Sequence, residues 1–295
     1  MNTNETSEQL KEIVKEKYAQ IADQSKADNE SSCCGASCGC STIDAAIMAE
    51  DYSKLKGYVP DADLGLGCGL PTEFARIKEG DVVVDLGSGA GNDAFVARSI
   101  TGEKGKVIGV DFTAKMIDKA RLNARKLGFS NVVFRYGDIE EIPVDDNEVD
   151  VVVSNCVLNL VPNKAQAFAE TFRILKPGGH FSVSDIVLIG ELPDSLRTSA
   201  EMYAGCISGA IQKEDYLLLV KEAGFENILI QREKKISIPD EIASAYLTQE
   251  EFITFKSTET GIYSVTVYAV KPASFLTPKV VEEKKAACCG PECCS

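Results

Sequence analysis

The stretch DVVVDLGSGAGN, residues 81–92, decides the fold of this chain. It joins an apolar run of β-branched residues to three glycines at alternate positions, and the helical pattern NDAFVARSI follows from residue 92. A short apolar run bounded by turn residues predicts a buried strand. Glycines let the backbone turn tightly and approach a ligand beside a helix N-terminus. The stretch therefore predicts a strand, a ligand-binding loop and a helix.

The alternation of apolar runs with helical patterns continues along the chain and predicts a parallel sheet with helices on both faces. The last two runs, 226–238 and 261–272, have no regular crossover helix between them, which suits antiparallel pairing at one edge. We therefore predict an α/β, Rossmann-like fold with a mostly parallel seven-stranded sheet and an antiparallel edge strand. The four remaining runs are 106–112, 131–138, 149–157 and 180–188.

Three regions of the 295-residue chain differ in composition. Residues 1–60 combine the pattern of an amphipathic helix with a polar, cysteine-rich stretch, which predicts an N-terminal helical, cysteine-rich arm. Residues 61–272 carry the seven predicted strands and are numerous enough to bury a hydrophobic core. The tail, 273–295, is predicted to be flexible because it offers few apolar residues to a core.

The charge balance excludes several classes of function. The chain has 31 Lys and Arg against 45 Asp and Glu, a formal net charge of −14. Nucleic acid or an anionic membrane would repel such a surface. The N-terminus lacks the basic and apolar segments of a secretory signal, and no apolar run reaches the ~18 residues of a membrane span. We expect a cytoplasmic protein with reduced thiols and neither nucleic acid nor membrane as partner.

The details of the glycine loop favour S-adenosylmethionine over a dinucleotide. The spacing is GxGxG, whereas dinucleotide-binding proteins have GxGxxG. Asp85 directly precedes the loop, where a carboxylate repels phosphates but attracts a sulfonium and an amino group. Asp111 ends the next strand, twenty positions after Gly91, and is placed to accept hydrogen bonds from ribose hydroxyls.

Two further segments extend the predicted cofactor site. Residues 110–121, VDFTAKMIDKAR, resemble the second motif of class I methyltransferases. An acidic segment follows the third strand, where that superfamily contacts adenine. The amide that precedes Cys156 either contacts the methionine part of the cofactor or fixes the loop. The predicted cofactor-binding residues are Asp85, Gly87, Ser88, Gly89, Gly91, Asp111, Phe112, Met116, Asp138, Ile139 and Asn155.

Eleven cysteines are distributed unevenly: four within residues 33–40, four within 288–294, and Cys68, Cys156 and Cys206 alone. Cys156 ends the fourth predicted strand and is therefore expected at the mouth of the cofactor crevice. A single cysteine is most often a small buried hydrophobe. That interpretation fits three of them less well, because glycines loosen two of the segments. These glycines are Gly67, Gly69, Gly205 and Gly209.

The motifs GCGLP, DLGSGAG, VSNCVLNLVP, KPGG, VSDI and GCISGA, in this order, resemble the arsenite methyltransferase family. The resemblance implies a class I methyltransferase domain over 61–272 that methylates trivalent arsenic for detoxification. It implies that Cys68, Cys156 and Cys206 hold the arsenic. It also implies a fourth cysteine in a thiol–disulfide cycle, matching Cys33 or Cys34. The implied partners are arsenite or its thiol conjugates and a reductant, thioredoxin or glutathione; we expect a monomer.

The chemistry of that reaction agrees with the composition. Arsenic(III) is soft and thiophilic, so thiolates suit it and carboxylates do not. Its lone pair carries no proton, so a methyl acceptor of this kind needs no general base. The chain has a single histidine, His180, which we expect to be a strand residue with no part in catalysis. Asp185 either faces the site or caps the next segment.

Two other functions remain open from the residues. A quinone or sterol-like C-methyltransferase has a similar cofactor core and predicts no role for thiols at the crevice. A thiol metal buffer would leave the cofactor loop without purpose. The terminal cysteine clusters, 33–40 and 288–294, either deliver arsenite, bind zinc or copper(I), or act as redox buffers.

Overall fold

The computed structural model describes residues 7–24, 26, 29, 50–193, 209–237, 240, 243–244 and 247–274. The strands are β1 Val82–Leu86, β2 Lys106–Asp111, β3 Val132–Tyr136, β4 Val149–Asn155, β5 Leu175–Ile189, β6 Glu226–Lys235 and β7 Gly261–Val270. The helices of the described residues are α1 Ser7–Ile21, α2 Pro71–Phe74, α3 Asn92–Thr101, α4 Ala114–Lys126, α5 Lys164–Ile174, α6 Lys213–Glu222 and α7 Gln249–Ser257. Short 3₁₀ turns lie at Tyr52–Lys54, Pro60–Ala62 and Leu158–Leu160.

The seven strands form one sheet in the order β3-β2-β1-β4-β5-β7-β6. The five strands from β3 to β5 are parallel, and β7 runs antiparallel to both of its neighbours. The predicted α/β fold, mostly parallel with antiparallel pairing at one edge, is confirmed. The antiparallel strand is β7, which lies inside the outermost strand β6.

Two local features differ from the sequence-based expectation. Helix α7 lies between β6 and β7, where no regular helix is expected; it begins with a capping box in which Thr248 and Glu251 bond each other's backbone N–H groups. The strand predicted over 180–188 begins earlier, at Leu175, because helix α5 ends at Ile174 and Leu175 has extended backbone angles. Strand β5 therefore includes the KPGG segment and begins five residues before His180.

The core consists of two layers, one on each face of the sheet. Val83 of β1 faces a cluster that contains Phe95 of α3 and Ile117 of α4. Val84, its neighbour in the chain, faces the opposite cluster, which contains Phe168 of α5 and the side of α6. Successive strand residues point to opposite faces, so helices on both sides are needed to bury a strand as apolar as β1.

The N-terminal helix packs against the parallel half of the molecule. Tyr18 and Ile21 of α1 contact the apolar cluster on the α3 and α4 face. Lys119 of α4 donates hydrogen bonds to the carbonyl oxygens of Ala22 (2.9 Å) and Gln24 (3.1 Å). The predicted cysteine-rich part of the arm and the tail from residue 275 lie outside the described residues. Within the described part of the chain, no helix is long and apolar enough to cross a membrane.

Candidate active site

An open cavity of about 1030 Å³, including the solvent at its mouth, lies at the carboxyl ends of the parallel strands. Small-molecule sites of up to about 1,000 Å³ are typical, and this edge of an open α/β sheet is where ligands bind. Ten of the eleven predicted cofactor residues line the cavity: Asp85, Gly87, Ser88, Gly89, Asp111, Phe112, Met116, Asp138, Ile139 and Asn155.

Gly91, the eleventh predicted residue, has a packing role behind the cavity wall. Its φ is +101°, and a Cβ there would lie 2.8 Å from the Phe95 ring and 2.9 Å from the Phe134 ring. These contacts are closer than side-chain atoms tolerate, so a glycine is needed where α3 begins. Gly91 therefore shapes the loop without facing the ligand space.

The wall of the cavity contains buried polar atoms that lack hydrogen-bond partners among the described residues. They are Asp85 Oδ2, Ser88 Oγ, Asn92 Oδ1 and Thr113 Oγ1, and all four residues line the cavity. Buried polar groups are almost always paired in folded proteins. A ligand with amino and hydroxyl groups, as S-adenosylmethionine has, fits these four oxygen atoms.

Asp111 holds the glycine loop in place. Its Oδ2 accepts a hydrogen bond from the Gly89 N–H (3.0 Å), and its Oδ1 accepts one from the Thr113 N–H (2.8 Å). The Gly87 and Ser88 N–H groups both donate to the Val110 carbonyl. The carboxylate predicted to accept ribose hydroxyls thus also ties together the loop and the start of α4.

Three buried carboxyl groups line the cavity: those of Asp85, Asp93 and Asp111. Burial, reinforced by the charges of Asp93 and Asp111, raises the pKa of Asp85 well above its usual value. Burial also raises the pKa of Asp111, and it raises the pKa of Asp93 to about 6. Carboxylates that are costly to ionise alone are stabilised by a cation placed among them. The cavity is therefore suited to a positively charged ligand.

Lys11 of α1 lies at the end of the cavity where the sequence predicts the adenine contact. Its Nζ lies 2.6 Å from Asp138 Oδ2 and also donates to Glu140. The Asp138 Oδ1 accepts the Glu140 N–H at 2.9 Å. Lys11 and Tyr18 both line the cavity, so the N-terminal helix forms part of its wall. Sequence patterns alone do not indicate this contact, because it joins residues 127 positions apart.

Cys156 is a buried thiol at the cavity edge. Its side chain is 3 % exposed, and the residue lines the cavity. Its backbone is left-handed, with φ of +61°, which non-glycine residues seldom adopt. The Cys156 N–H donates to the Ser184 carbonyl of β5 at 2.8 Å. This strained position, directly after β4, is the kind that clusters at functional sites.

Cys68 is a second buried thiol, 1 % exposed, in a segment fixed from two sides. Its N–H donates to Asn155 Oδ1 (3.0 Å), and its carbonyl accepts the Ser264 hydroxyl (2.6 Å). The Asn155 Nδ2 donates to the Gly69 carbonyl at 2.9 Å. Asn155, which also lines the cavity, thus fixes the segment around Cys68.

The glycines on either side of Cys68 do not loosen the segment, in contrast to the sequence-based interpretation. A Cβ on Gly67 would lie 2.6 Å from Asn155 Nδ2, and one on Gly69 would lie 2.4 Å from Ser184 Oγ. Both glycines therefore allow the backbone to pack closely against Asn155 at the end of β4 and Ser184 within β5. The segment is held tightly, and Cys68 is buried as a result.

Cys68 and Cys156 belong to one apolar cluster, together with residues such as Ile186 and Phe255. The other three cysteines of the predicted site, Cys206, Cys33 and Cys34, lie outside the described residues. Among the described residues, no group of three or more metal-binding side chains is brought together. Two of the predicted thiols thus lie in the same apolar cluster, and one of them, Cys156, also lines the cavity.

Tyr52 and Asp93 are site residues that sequence reasoning missed. Both line the cavity, and the Tyr52 hydroxyl donates to Asp93 Oδ2 at 2.8 Å. Asp93 lies in the first turn of α3, where an acidic residue is expected simply to favour the helix dipole. Tyr52 precedes the glycine loop by more than thirty positions, and no local pattern indicates that it folds back.

The two remaining residues considered from the sequence lie away from the cavity wall. His180 packs against Tyr268, with ring centroids 5.1 Å apart, and its Nε2 lies 2.6 Å from the Ala75 carbonyl. Asp185 is fully buried; it accepts the Tyr216 hydroxyl at 3.4 Å and the backbone N–H of Asn159. Asp185 thereby supports the 3₁₀ turn that follows Cys156.

Replacement of Asp185 by asparagine should change the pH dependence of stability. Burial raises the pKa of Asp185 to about 7, so the folded state favours the protonated carboxyl. The stabilisation from this group is present below its unfolded pKa of about 4 and is lost as pH rises towards 7, at about 1.4 kcal/mol per unit. As pH rises from about 4 to about 7, Asp185→Asn should therefore gain stability relative to the wild type, and the difference should stay constant at higher pH.

Urea denaturation at a series of pH values measures this difference. Asp85 and Asp93 titrate in both proteins, so their contributions cancel in the comparison. Free energies of unfolding that run parallel over this pH range would contradict the assignment.

Two glycines of the loop should fail in different ways when replaced by alanine. A Cβ on Gly87 (φ +67°) would lie 2.3 Å from Val157 Cγ2, whereas one on Gly89 (φ +50°) meets no atom within 4 Å. Each left-handed alanine costs about 1–2 kcal/mol, and overlap adds ~1–3 kcal/mol for Gly87→Ala. Calorimetric Tm should fall more for Gly87→Ala than for Gly89→Ala. Relative to its drop in Tm, Gly89→Ala should lose more cofactor affinity than Gly87→Ala. Equal Tm losses would contradict this.

Comparisons with known proteins identify similar methyltransferases. A family model described as a methyltransferase domain matches residues 77–224. An arsenite methyltransferase of Halobacterium salinarum is 40% identical over 247 residues, which are 78% of this chain and 62% of that protein. An arsenite methyltransferase of Aquipseudomonas alcaligenes is 34% identical over 82% of this chain and 70% of that protein. The chain thus spans about two thirds of the length of these relatives.

A solved structure of a methyltransferase that acts on arsenic is also similar to this chain. An arsenic(III) S-adenosylmethionine methyltransferase from Chlamydomonas reinhardtii superposes with a TM-score of 0.59 and 35% sequence identity. The match covers 70% of this chain and 68% of that chain.

Proposed function

We propose that this chain, which belongs to the arsenite methyltransferase family, transfers a methyl group from S-adenosylmethionine to trivalent arsenic held by cysteine thiolates. The observation that carries the proposal is the position of Cys68 and Cys156. Both thiols are buried in one apolar cluster, and Cys156 also lines the cavity that suits a cationic ligand. Detoxification of arsenic is the role that this activity serves.

The residues of the cavity can hold the cofactor in a defined orientation. Asp85, Ser88 and Asn92 offer hydrogen-bond partners for its amino and hydroxyl groups, and the carboxylates attract its positive charge. Met116 and Ile139 supply apolar walls, with side chains 0 % and 6 % exposed. When bound, S-adenosylmethionine supplies an electrophilic methyl group on a sulfonium.

The thiols would bind arsenic by condensation. Arsenous acid, As(OH)₃, reacts with each thiol to form an As–S bond and releases one water, so the thiol proton leaves with a hydroxide. The apolar surroundings of Cys68 and Cys156 favour such neutral species over free thiolates. The arsenic lone pair then needs no base, and the role of the protein is to orient it at about 3–3.5 Å from the methyl carbon.

Cys206 is the proposed third ligand. It precedes Gly209 by three residues, so the two Cα atoms are within about 11 Å of each other. A Cβ on Gly209 would lie 1.8 Å from the Asn159 carbonyl, so Gly209 packs directly on the turn that follows Cys156. Gly209 therefore lies close to the turn that follows Cys156, which supports the assignment.

The redox part of the cycle is proposed on the family resemblance. Cys33 or Cys34 and a site thiol would be oxidised to a disulfide; the formation of this bond releases two protons and supplies two electrons to oxidised arsenic. Thioredoxin or glutathione would reduce that disulfide again, with two electrons and two protons. A reducing, cytoplasmic setting and a monomeric enzyme complete the proposal.

The test uses the purified full chain with S-[methyl-¹⁴C]adenosylmethionine, glutathione and arsenite. We expect label in methylated arsenic species separated by liquid chromatography. A parallel reaction with a demethylated quinone tests the competing activity. Label in the quinone and none in arsenic would reject the proposal, as would the absence of labelled arsenic while S-adenosylmethionine is bound.

A further inference from the structure

We propose that Tyr52 and Asp93 are positioning residues that couple the cofactor cavity to the thiol segment around Cys68, so that a cation in the cavity and arsenic at the thiols favour each other's binding. The inference rests on the proposed function, because it assigns a role within that site. Neither residue is indicated by the glycine loop or by the cysteine motifs.

Asp93 forms the cavity end of the connection. It lies in the first turn of α3, is 8 % exposed and lines the cavity. Its Oδ2 accepts the Tyr52 hydroxyl at 2.8 Å and lies 3.3 Å from Asn155 Nδ2. Its Oδ1 accepts the Thr72 hydroxyl at 3.3 Å. One carboxylate therefore gathers three donors that come from three separate segments of the chain.

Tyr52 and Asn155 form the thiol end of the connection. The Tyr52 hydroxyl oxygen lies 3.1 Å from the Gly69 carbonyl oxygen. The same hydroxyl oxygen accepts a hydrogen bond from the Asn155 side-chain amide. Asn155 also bonds the Cys68 N–H and the Gly69 carbonyl, at 3.0 Å and 2.9 Å. Tyr52 is itself 4 % exposed, so these bonds are shielded from water. The backbone on both sides of the Cys68 peptide unit is thus held by groups that Asp93 orients.

The charge of Asp93 explains why a cation in the cavity affects the Cys68 segment. A cation in the cavity favours the ionised carboxylate, and an ionised acceptor forms stronger hydrogen bonds than a neutral one. Stronger bonds to Tyr52 and Asn155 hold the Cys68 segment in one arrangement. Conversely, arsenic bound at the thiols orders the same donors and leaves Asp93 set for the cation. A neutral ligand in the same cavity lacks the charge on which this coupling depends.

Thermodynamic linkage makes the coupling measurable from the cofactor side. If a cation tightens arsenic binding by a given factor, arsenic tightens cation binding by the same factor. Sinefungin is an unreactive cationic analogue of S-adenosylmethionine, and S-adenosylhomocysteine lacks the sulfonium charge. We expect saturating arsenite to tighten sinefungin by about 10-fold and S-adenosylhomocysteine by less than about 3-fold, within the usual range of coupling between sites.

The experiment measures both dissociation constants by titration calorimetry, with and without arsenite, in the full-length protein and in Tyr52→Phe. The variant loses one hydroxyl, and we expect arsenite to change its sinefungin affinity by less than about 2-fold. Each protein serves as its own reference, so a general loss of stability does not alter the ratio. Tyr58→Phe is the matched control, because it also removes a hydroxyl that donates to a carboxylate, Asp63, at 3.1 Å.

The outcomes separate this inference from the proposed function. If arsenite is methylated but does not favour sinefungin in the wild type, or favours both ligands equally, the coupling is wrong and the function stands. If Tyr52→Phe keeps the wild-type ratio, Tyr52 does not carry the coupling. If arsenite is not methylated by the wild type, the proposed function fails in its own assay, whatever the calorimetry shows.

Discussion

Replacement of Cys156 by serine should lower kcat/KM for arsenite by at least about 100-fold, equivalent to about 2.7 kcal/mol of lost transition-state stabilisation. Serine has nearly the same size, so the left-handed backbone at this residue is disturbed little. Its hydroxyl is a hard donor with a high pKa and replaces a soft thiolate as arsenic ligand. Because Cys156 is 3 % exposed, water and small thiols have little room to replace the missing sulfur.

Steady-state methylation measures the effect, and cofactor affinity provides the control. The dissociation constant of S-adenosylhomocysteine should stay within about 3-fold of the wild-type value, because the carboxylates and glycines of the cavity are unchanged. Cys68→Ser should lose methylation in the same way, since Cys68 shares the apolar cluster. Activity within about 5-fold of wild type in both variants would contradict arsenic ligation by these thiols.

Replacement of Asp85 by asparagine should weaken binding of cationic cofactors by about 100-fold, and binding of S-adenosylhomocysteine by less than about 10-fold. The amide keeps the shape of the carboxyl but removes the charge at the cavity wall. Burial raises the pKa of Asp85, so in the wild type the preference for a cation should also grow as pH rises and the carboxyl ionises. The variant should lose most of that pH dependence.

Titration calorimetry with sinefungin and S-adenosylhomocysteine measures both effects. Asp118→Asn is the control, because its carboxylate is 79% exposed on α4 and should change neither constant. An equal loss for the two ligands in Asp85→Asn would show that Asp85 shapes the cavity and does not select for charge.

Local patterns in the sequence were sufficient to predict the strands of the sheet and the glycine loop. The apolar run of β1 and the helices that follow β1, β2 and β4 depend on neighbours within a few residues, which propensity and periodicity describe. The same reasoning places Asp85 and Asp111 at the cavity, because both end parallel strands. Helix α7 was missed because QEEFITFKS is short and is stabilised by its capping box and by packing of Phe255.

The connections between distant segments could not be predicted in this way. Tyr52 reaches Asp93 across 41 positions, and Asn155 reaches Cys68 across 87. From the sequence alone, Gly67 and Gly69 indicate a loose segment, because the sequence does not show that Asn155 and Ser184 pack against them. These contacts depend on tertiary packing, and they are the ones that determine where the Cys68 thiol lies.

X-ray absorption at the arsenic edge tests most directly whether thiolates of this site hold the substrate. Eight cysteines of the terminal clusters, at 33–40 and 288–294, are replaced by serine, so that arsenite binds at the three remaining thiols. We predict a spectrum with three As–S contacts and no As–O contact. Cys156→Ser in the same background should show two As–S contacts and at least one As–O contact. A spectrum of oxygen-bound arsenic in the first protein, or identical spectra in both, would contradict the account.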